Sequence, residues 1–158
     1  MDFLEVIGKR HSVRKYTDAP VEREILDAIV KLARTAPSSR NSKSTEFMIV
    51  DDKDTIAAIS QMRDSGSAFM KDAAAAIIIL GDESKTDLWV DNCAISATFV
   101  QLAATAMDLG SCWVHINGRP RVKTEPEGAT AEDYVRELLG IKEGLRIYCA
   151  VAIGYPAV

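Results

Sequence analysis

The stretch WVDNCAISATFVQLAATAMDLG, Trp89 to Gly110, decides how the rest of the chain is read. Trp89, Val90, Ile95, Phe99, Val100, Leu102 and Leu109 are interleaved with Ala94, Ser96, Ala97, Thr98, Ala103, Ala104, Thr105 and Ala106, and no charge falls between Asn92 and Met107. The pattern predicts a helix within 86–109 that is apolar or small on every side, and such a helix is buried on every side. A chain of 158 residues has difficulty surrounding it alone. The segment therefore predicts an interface with a second copy, where small residues let the partner backbone come close. Gly110 is the expected left-handed cap.

Outward from this helix, helices and strands alternate. Residues 2–9 carry Phe3, Val6 and Ile7 on one helical face, and residues 21–35, after Pro20, place Ile25, Ile29 and Leu32 on another. Phe47 to Val50 is a short strand, a helix is expected near 53–63, and Ile77 to Leu80, at the end of the run from Ala73, reads as a strand buried on both faces. Cys112 to Ile116 is a strand that opens into a loop at Asn117-Gly118. The breakers Gly118, Pro120, Pro126 and Gly128 mark an exposed, mobile stretch over 118–129. Thr130 caps a helix running to Leu139, and Arg146 to Ile153 is a last apolar strand. The inventory is mixed α and β, five helices and about four strands, in one domain over 1–158 with no repeat or linker.

Composition narrows the function. The chain is 47% apolar with a net charge of −4, and its isoelectric point of about 5.2 lacks the basic footprint of a nucleic-acid-binding domain. The longest apolar run, Ala73 to Leu80, is far short of the roughly 20 residues of a bilayer crossing. Met1-Asp2-Phe3-Leu4-Glu5 has neither the basic lead nor the apolar core of a signal peptide. Cys93, Cys112 and Cys149 are odd in number and sit in apolar stretches; with only His11 and His115 beside them, no metal spacing exists. A reducing, cytoplasmic setting and a metal-free protein are expected.

Two segments carry candidate chemistry. In an extended Arg10-His11-Ser12-Val13-Arg14, Arg10, Ser12 and Arg14 point the same way. Two guanidiniums around a hydroxyl make a cradle for phosphate or carboxylate, although a solvated basic turn explains the charge equally simply. Ala36 to Thr45, holding Pro37, Ser38, Ser39 and Asn41, is either a ligand-touching loop or a connector rich in turn formers. No Ser/His/Asp setting, phosphate-binding Gly loop or dinucleotide fingerprint is present, and His115, in an apolar strand, reads as a satisfied core histidine.

Four blocks in order resemble the flavin-dependent nitroreductase family: Arg10 to Tyr16, Ala36 to Ser42, Trp89-Val90-Asp91 with Leu109 to Trp113, and Leu145 to Pro156. The resemblance implies an α+β, three-layer fold with a central mixed or antiparallel sheet of about four strands flanked by helices. It also implies an intertwined homodimer with FMN at the interface. Arg10 and Ser12 match phosphate contacts, with His11 adjacent, and Arg14 matches the side chain beside the pyrimidine edge of the flavin. Pro37, Ser38, Ser39 and Asn41 match a loop reaching the flavin from the other subunit. Val114 to Gly118 match the stretch passing the ring, including Ile116, with the Asn117 and Gly118 backbone near N5. The activity implied is ping-pong hydride transfer from NAD(P)H through flavin to a nitroaromatic, quinone or similar acceptor, with no catalytic side chain. A cation such as Arg14 stabilises the charge that hydride uptake leaves on the pyrimidine edge.

Alternatives on the same scaffold are reductive dehalogenation, flavin fragmentation, a non-catalytic flavin-binding or interaction dimer, and a flavin-free structural dimer. Two departures stand out. The family continues Asn-x-Gln-Pro-Trp where this chain has Asn41-Ser42-Lys43-Ser44-Thr45, which bears on substrate contacts. The family also runs past Gly-Tyr-Pro into a basic tail that helps hold the phosphate, whereas Ala157 and Val158 alone follow Pro156 here.

Overall fold

A computed structural model describes residues 1–158. The chain runs α1 (Phe3–Lys9), α2 (Arg23–Ala33), β1 (Thr45–Val50), α3 (Lys53–Ile59), β2 (Ala75–Gly81), α4 (Trp89–Ala106), β3 (Gly110–His115), α5 (Ala131–Leu139) and β4 (Arg146–Gly154). Short 3₁₀ turns lie at Ser39–Asn41 and Ala68–Asp72. The sheet order is β1-β2-β4-β3 and every strand pair is antiparallel, so the expected α+β class with a four-stranded sheet holds.

Local chemistry starts the helices where the sequence says it should. The Asp2 carboxylate accepts from the Glu5 N–H while the Glu5 side chain accepts from the Asp2 N–H, a reciprocal cap. Asp52 and Thr130 cap α3 and α5 from one side, each accepting from the N–H three residues on. Gly140 ends α5 at φ 65°.

Strand β2 explains the unbroken apolar run Ala75 to Leu80. Ile77 and Ile79 pack with α2 and α4, while Ile78 and Leu80 pack with α3 and α5. Both faces of the strand are covered, so alternation with polar residues has no purpose there. Helices on the two faces make the three layers. All three cysteines are buried and unpaired, as expected.

Three expectations need correction. The buried face of α2 is Leu26, Ile29, Val30 and Ala33, whereas Ile25 is half-buried and Leu32 is 47% exposed; two adjacent apolar stripes compete, and the sheet takes the other one. Helix α4, by contrast, is left partly uncovered by one copy as expected, since Val90 and Ile95 remain exposed. Gly110 is not a helix cap. Asp108 takes the left-handed conformation at φ 61°, and Gly110 opens β3 opposite Gly154. Its missing side chain makes room for Val13, whose Cβ would stand 2.8 Å from a Cβ at Gly110. Finally, the 118–129 stretch is exposed but tied down: Asp64 N–H donates to the Arg121 carbonyl, Arg121 N–H to that of Ala129, and the Arg121 guanidinium lies 3.8 Å over the Tyr134 ring.

Candidate functional site

The basic segment lies along the edge of the sheet. Ser12 bridges Ser111 in parallel, Val13 N–H donates to the Ser111 carbonyl at 2.9 Å, and Tyr16 pairs with Pro156. Val13 and Tyr16 sink into the core against Gly110 and Gly154. By strand alternation this turns Ser12 and Arg14 outward, and both are exposed. The His11 ring Nδ1 meets the Lys9 carbonyl at 2.9 Å. Lys9, Arg10, Arg14 and Lys15 contribute four cations in seven residues with no acid among them, and none joins an ion pair. On the strand residue that Ser12 bridges, the Ser111 hydroxyl is buried without a hydrogen-bond partner. Free fork-shaped donors on a segment bridged to an orphaned hydroxyl suit an oxygen-rich anion such as a phosphate.

The serine loop is built differently. Arg40, Asn41 and Lys43 adopt left-handed backbone at φ 51°, 55° and 52°, a conformation costing on the order of 1 kcal/mol per non-glycine residue. What over-determines it is a single buried amide in the first turn of α4. Asn92, 2% exposed, accepts from the Ser39 N–H at 3.0 Å, and its Nδ2 donates to the hydroxyls of Ser39, Ser42 and Ser44 at 3.1, 3.3 and 2.9 Å. Lys43 N–H donates to the Ser38 hydroxyl, and the Ser39 and Thr86 hydroxyls meet. Pro37 and Asn41 are left exposed at the surface, with Ser38 and Ser39 half-buried.

The third segment follows β3. Val114 and Ile116 bury their side chains in the core. His115 is half-buried and its Nδ1 accepts from the Trp113 indole N–H at 3.2 Å, so it is partnered as expected. Burial, then the charges of Arg119 and Arg63, hold its pKa below the usual histidine value. Asn117 is held by its side chain, which donates to Glu132 Oε1 at 3.3 Å, and Gly118 turns at φ 75° with open space on its Cα.

Glu132 is the hub of this end. It also accepts from Ile147 N–H at 2.8 Å, from Arg146 Nε and Nη2 at 3.0 Å each, and from Arg136 Nη2 at 3.2 Å. Burial pushes its pKa up, but the Arg146 and Ile147 hydrogen bonds and the Arg146 and Arg136 charges outweigh that and hold it below the usual glutamate value. Asn92, Glu132 and Arg146 did not stand out in the sequence. The signals available were the i,i+4 spacing of Glu132 and Arg136 and an amide within an uncharged helix.

Register fixes where the segments stand. Thr45 opposite Gly81, Gly81 opposite Arg146 and His115 opposite Cys149 put the serine loop and Asn117-Gly118 at one end of the sheet. Ser12, at Ser111, stands at the other end. The basic segment and the serine loop are therefore at diagonal corners, roughly 20 Å apart along the strands and about 19 Å across them. One copy does not bring them together.

The sequence profile of the nitroreductase family matches residues 7–65 and 57–155. Among solved structures, an FMN-dependent nitroreductase of Clostridium difficile R20291 is 38% identical with a TM-score of 0.91, over 98% of this chain and 88% of that one. A protein of Parabacteroides distasonis, provisionally named an NADH dehydrogenase/NAD(P)H nitroreductase, is 30% identical with a TM-score of 0.87, over 99% and 88%. A curated protein of Archaeoglobus fulgidus with the same provisional name is 31% identical over 97% of this chain and 84% of its own length. Matching of the family profile across both halves of the chain, repeated in the backbone of solved relatives, leads to one conclusion: the chain belongs to the nitroreductase family.

Proposed function

We propose that the protein is an NAD(P)H-dependent oxidoreductase that uses FMN and reduces a small acceptor such as a quinone or nitroaromatic. The observation that carries the reading is the unpaired cationic segment Lys9–Lys15, bridged through Ser12 to Ser111 with its orphaned hydroxyl, in a chain 38% identical to an FMN-dependent nitroreductase. Those groups fit the phosphate of the cofactor. FMN, when bound, supplies the hydride-transfer chemistry between NAD(P)H and the acceptor.

The chain's own residues do the rest. Arg10 and Ser12, with His11 beside them, bind the phosphate. Arg14 sets a fixed positive charge at the pyrimidine edge, where the negative charge of reduction collects, and so favours the reduced form. Val114 to Gly118 flank the ring, and the side-chain-free turn at Gly118 leaves room for backbone to approach it. Pro37, Ser38, Ser39 and Asn41 close the site from a second copy, a reading supported by their position at the far corner of the sheet.

A homodimer is supported independently. Met1, Phe3, Leu32, Phe99, Leu102 and Ala106 line an open apolar groove of about 460 Å³, and Phe3 is 67% exposed, which a second copy would cover. We read the chain as one domain over 1–158. The buried free thiols support a reducing, cytoplasmic setting, and no helix is long and apolar enough to cross a membrane.

Anaerobic NADH or NADPH added to the FMN-loaded protein is expected to bleach the flavin bands, and a quinone added next to restore them. Double-reciprocal plots at several acceptor concentrations should be parallel, because donor leaves before acceptor enters. Flavin bands that persist under both nucleotides would remove the oxidoreductase reading, and intersecting plots would remove the two-stage mechanism.

A further inference from the structure

The serine loop holds three left-handed non-glycine residues, Arg40, Asn41 and Lys43, while the side chains of Pro37, Asn41 and Lys43 are exposed. Its tie to the body of the fold is the Asn92 amide, whose carbonyl and amide hydrogens are committed to Ser39, Ser42 and Ser44. Asn92 touches nothing in the basic segment. Its reach across 48 to 53 residues of sequence goes to this one loop.

We propose that Asn92 is a positioning residue of the flavin site, acting through the serine loop on the site of the partner copy. The inference rests on the shared FMN site proposed above. Without the amide, the Lys43 N–H to Ser38 hydroxyl bond and the backbone bonds from Asn41 to Ser38 and from Ser42 to Ser39 remain, but the side-chain anchor that ties the loop to α4 is lost, and the left-handed turns relax toward ordinary backbone. Ser38, Ser39 and Asn41 then lose the placement from which they close the neighbouring copy's site, and the ordering they gave up in advance must be supplied at binding. The chemistry of the cluster predicts which substitution is tolerated. A carboxylate can accept from the Ser39 N–H, and all three hydroxyls can rotate to donate to it. Its charge lies in the first turn of α4, where negative charge is favoured.

The test is FMN titration of the dimer by flavin fluorescence, with thermal melting of the apoprotein in parallel. Asn92→Ala should weaken FMN by about tenfold or more while still melting cooperatively; Asn92→Asp should stay within about threefold of the parent. Affinity unchanged in Asn92→Ala, or equal losses in both variants, overturns the proposal. Should Asn92→Ala not fold, Ser44→Ala removes one partner of the amide from outside the site, and should weaken FMN by a smaller factor; no loss there is also contradictory.

A hybrid dimer separates positioning from general damage. Co-expressed Asn92→Ala and Arg10→Ala subunits, carrying different tags, form a dimer in which one site holds both defects and the other holds neither. That hybrid should regain one tight FMN site per dimer, whereas a defect confined to the variant's own fold gives none. If the parent protein takes up no FMN, or Arg10→Ala binds it as the parent does, the shared-site reading itself has failed. If Arg10→Ala weakens binding and Asn92→Ala does not, only the role of Asn92 has.

Discussion

Replacing Glu132 by alanine is expected to destabilise the protein by about 3 kcal/mol or more. The Glu132 carboxylate, with a side chain 12% exposed, is the meeting point of Arg136 and Arg146, which are 13% and 35% exposed. It also satisfies the Ile147 N–H at the start of β4 and the Asn117 side chain. Removing it leaves the Ile147 N–H without its partner and takes the only carboxylate from Arg136, which keeps the Lys142 carbonyl, and the cost of leaving buried groups uncompensated exceeds the modest worth of the pairs themselves. Arg146 keeps Glu83 and the face of Trp89, 5.1 Å away, which places the estimate at the lower end of the range.

The pH dependence has a definite sign. Because the folded carboxyl titrates below its ordinary value, near 4.5, its contribution is complete above that value and is lost as pH falls through the lower folded value. Urea unfolding followed from neutral pH into the acid range should show a stability decline in the parent that is shallower in Glu132→Ala. A destabilisation below about 1 kcal/mol, with an unchanged acid limb, would show that the cluster is ornamental.

Arg10→Ala should weaken FMN about 10- to 150-fold, corresponding to the roughly 1.5–3 kcal/mol of a hydrogen bond to a charged group. Nothing else in the chain competes for this guanidinium, since it makes no ion pair. Its loss should therefore appear in cofactor affinity and leave the melting temperature of the apoprotein nearly unchanged. The loss should shrink at high salt, where phosphate attraction is screened. Arg14→Ala is expected to differ by slowing flavin reduction more than it weakens binding. Equal FMN affinity in Arg10→Ala and the parent would take Arg10 out of the site.

The sequence made the sheet readable wherever burial leaves a one-dimensional trace. Ile77 to Leu80 read as a doubly buried strand because both faces of β2 are covered, and Thr130 read as a cap because the Asp133 N–H it satisfies is three residues away. The failures have equally specific causes. Helix α2 offers two neighbouring apolar stripes, and periodicity does not say which one meets the sheet. Gly110 carries the mark of a helix end, yet its missing Cβ serves Val13, almost a hundred residues earlier in the chain.

The candidate site was legible as blocks but not as an assembly. Spacing placed Arg10, Ser12 and Arg14 on one side of an extended segment; Val13 is buried between exposed Ser12 and Arg14, whereas Arg10 is half-buried at the end of α1 and His11 is exposed. The distance between that segment and the serine loop depends on strand register, which no spacing encodes. Asn92 was missed because its partners lie up to 53 residues away, and Glu132 because the i,i+4 pair with Arg136 gives no sign of the partners 14 and 15 residues on, Arg146 and Ile147.

Sedimentation velocity read at a flavin wavelength and at a protein wavelength tests the shared site most directly. Two copies with two cofactors are expected to travel as one boundary in both signals, and diluting the protein until the copies separate should release the colour at the same concentration. Colour carried by a single copy, or retained after the copies part, would contradict a cofactor clasped between them.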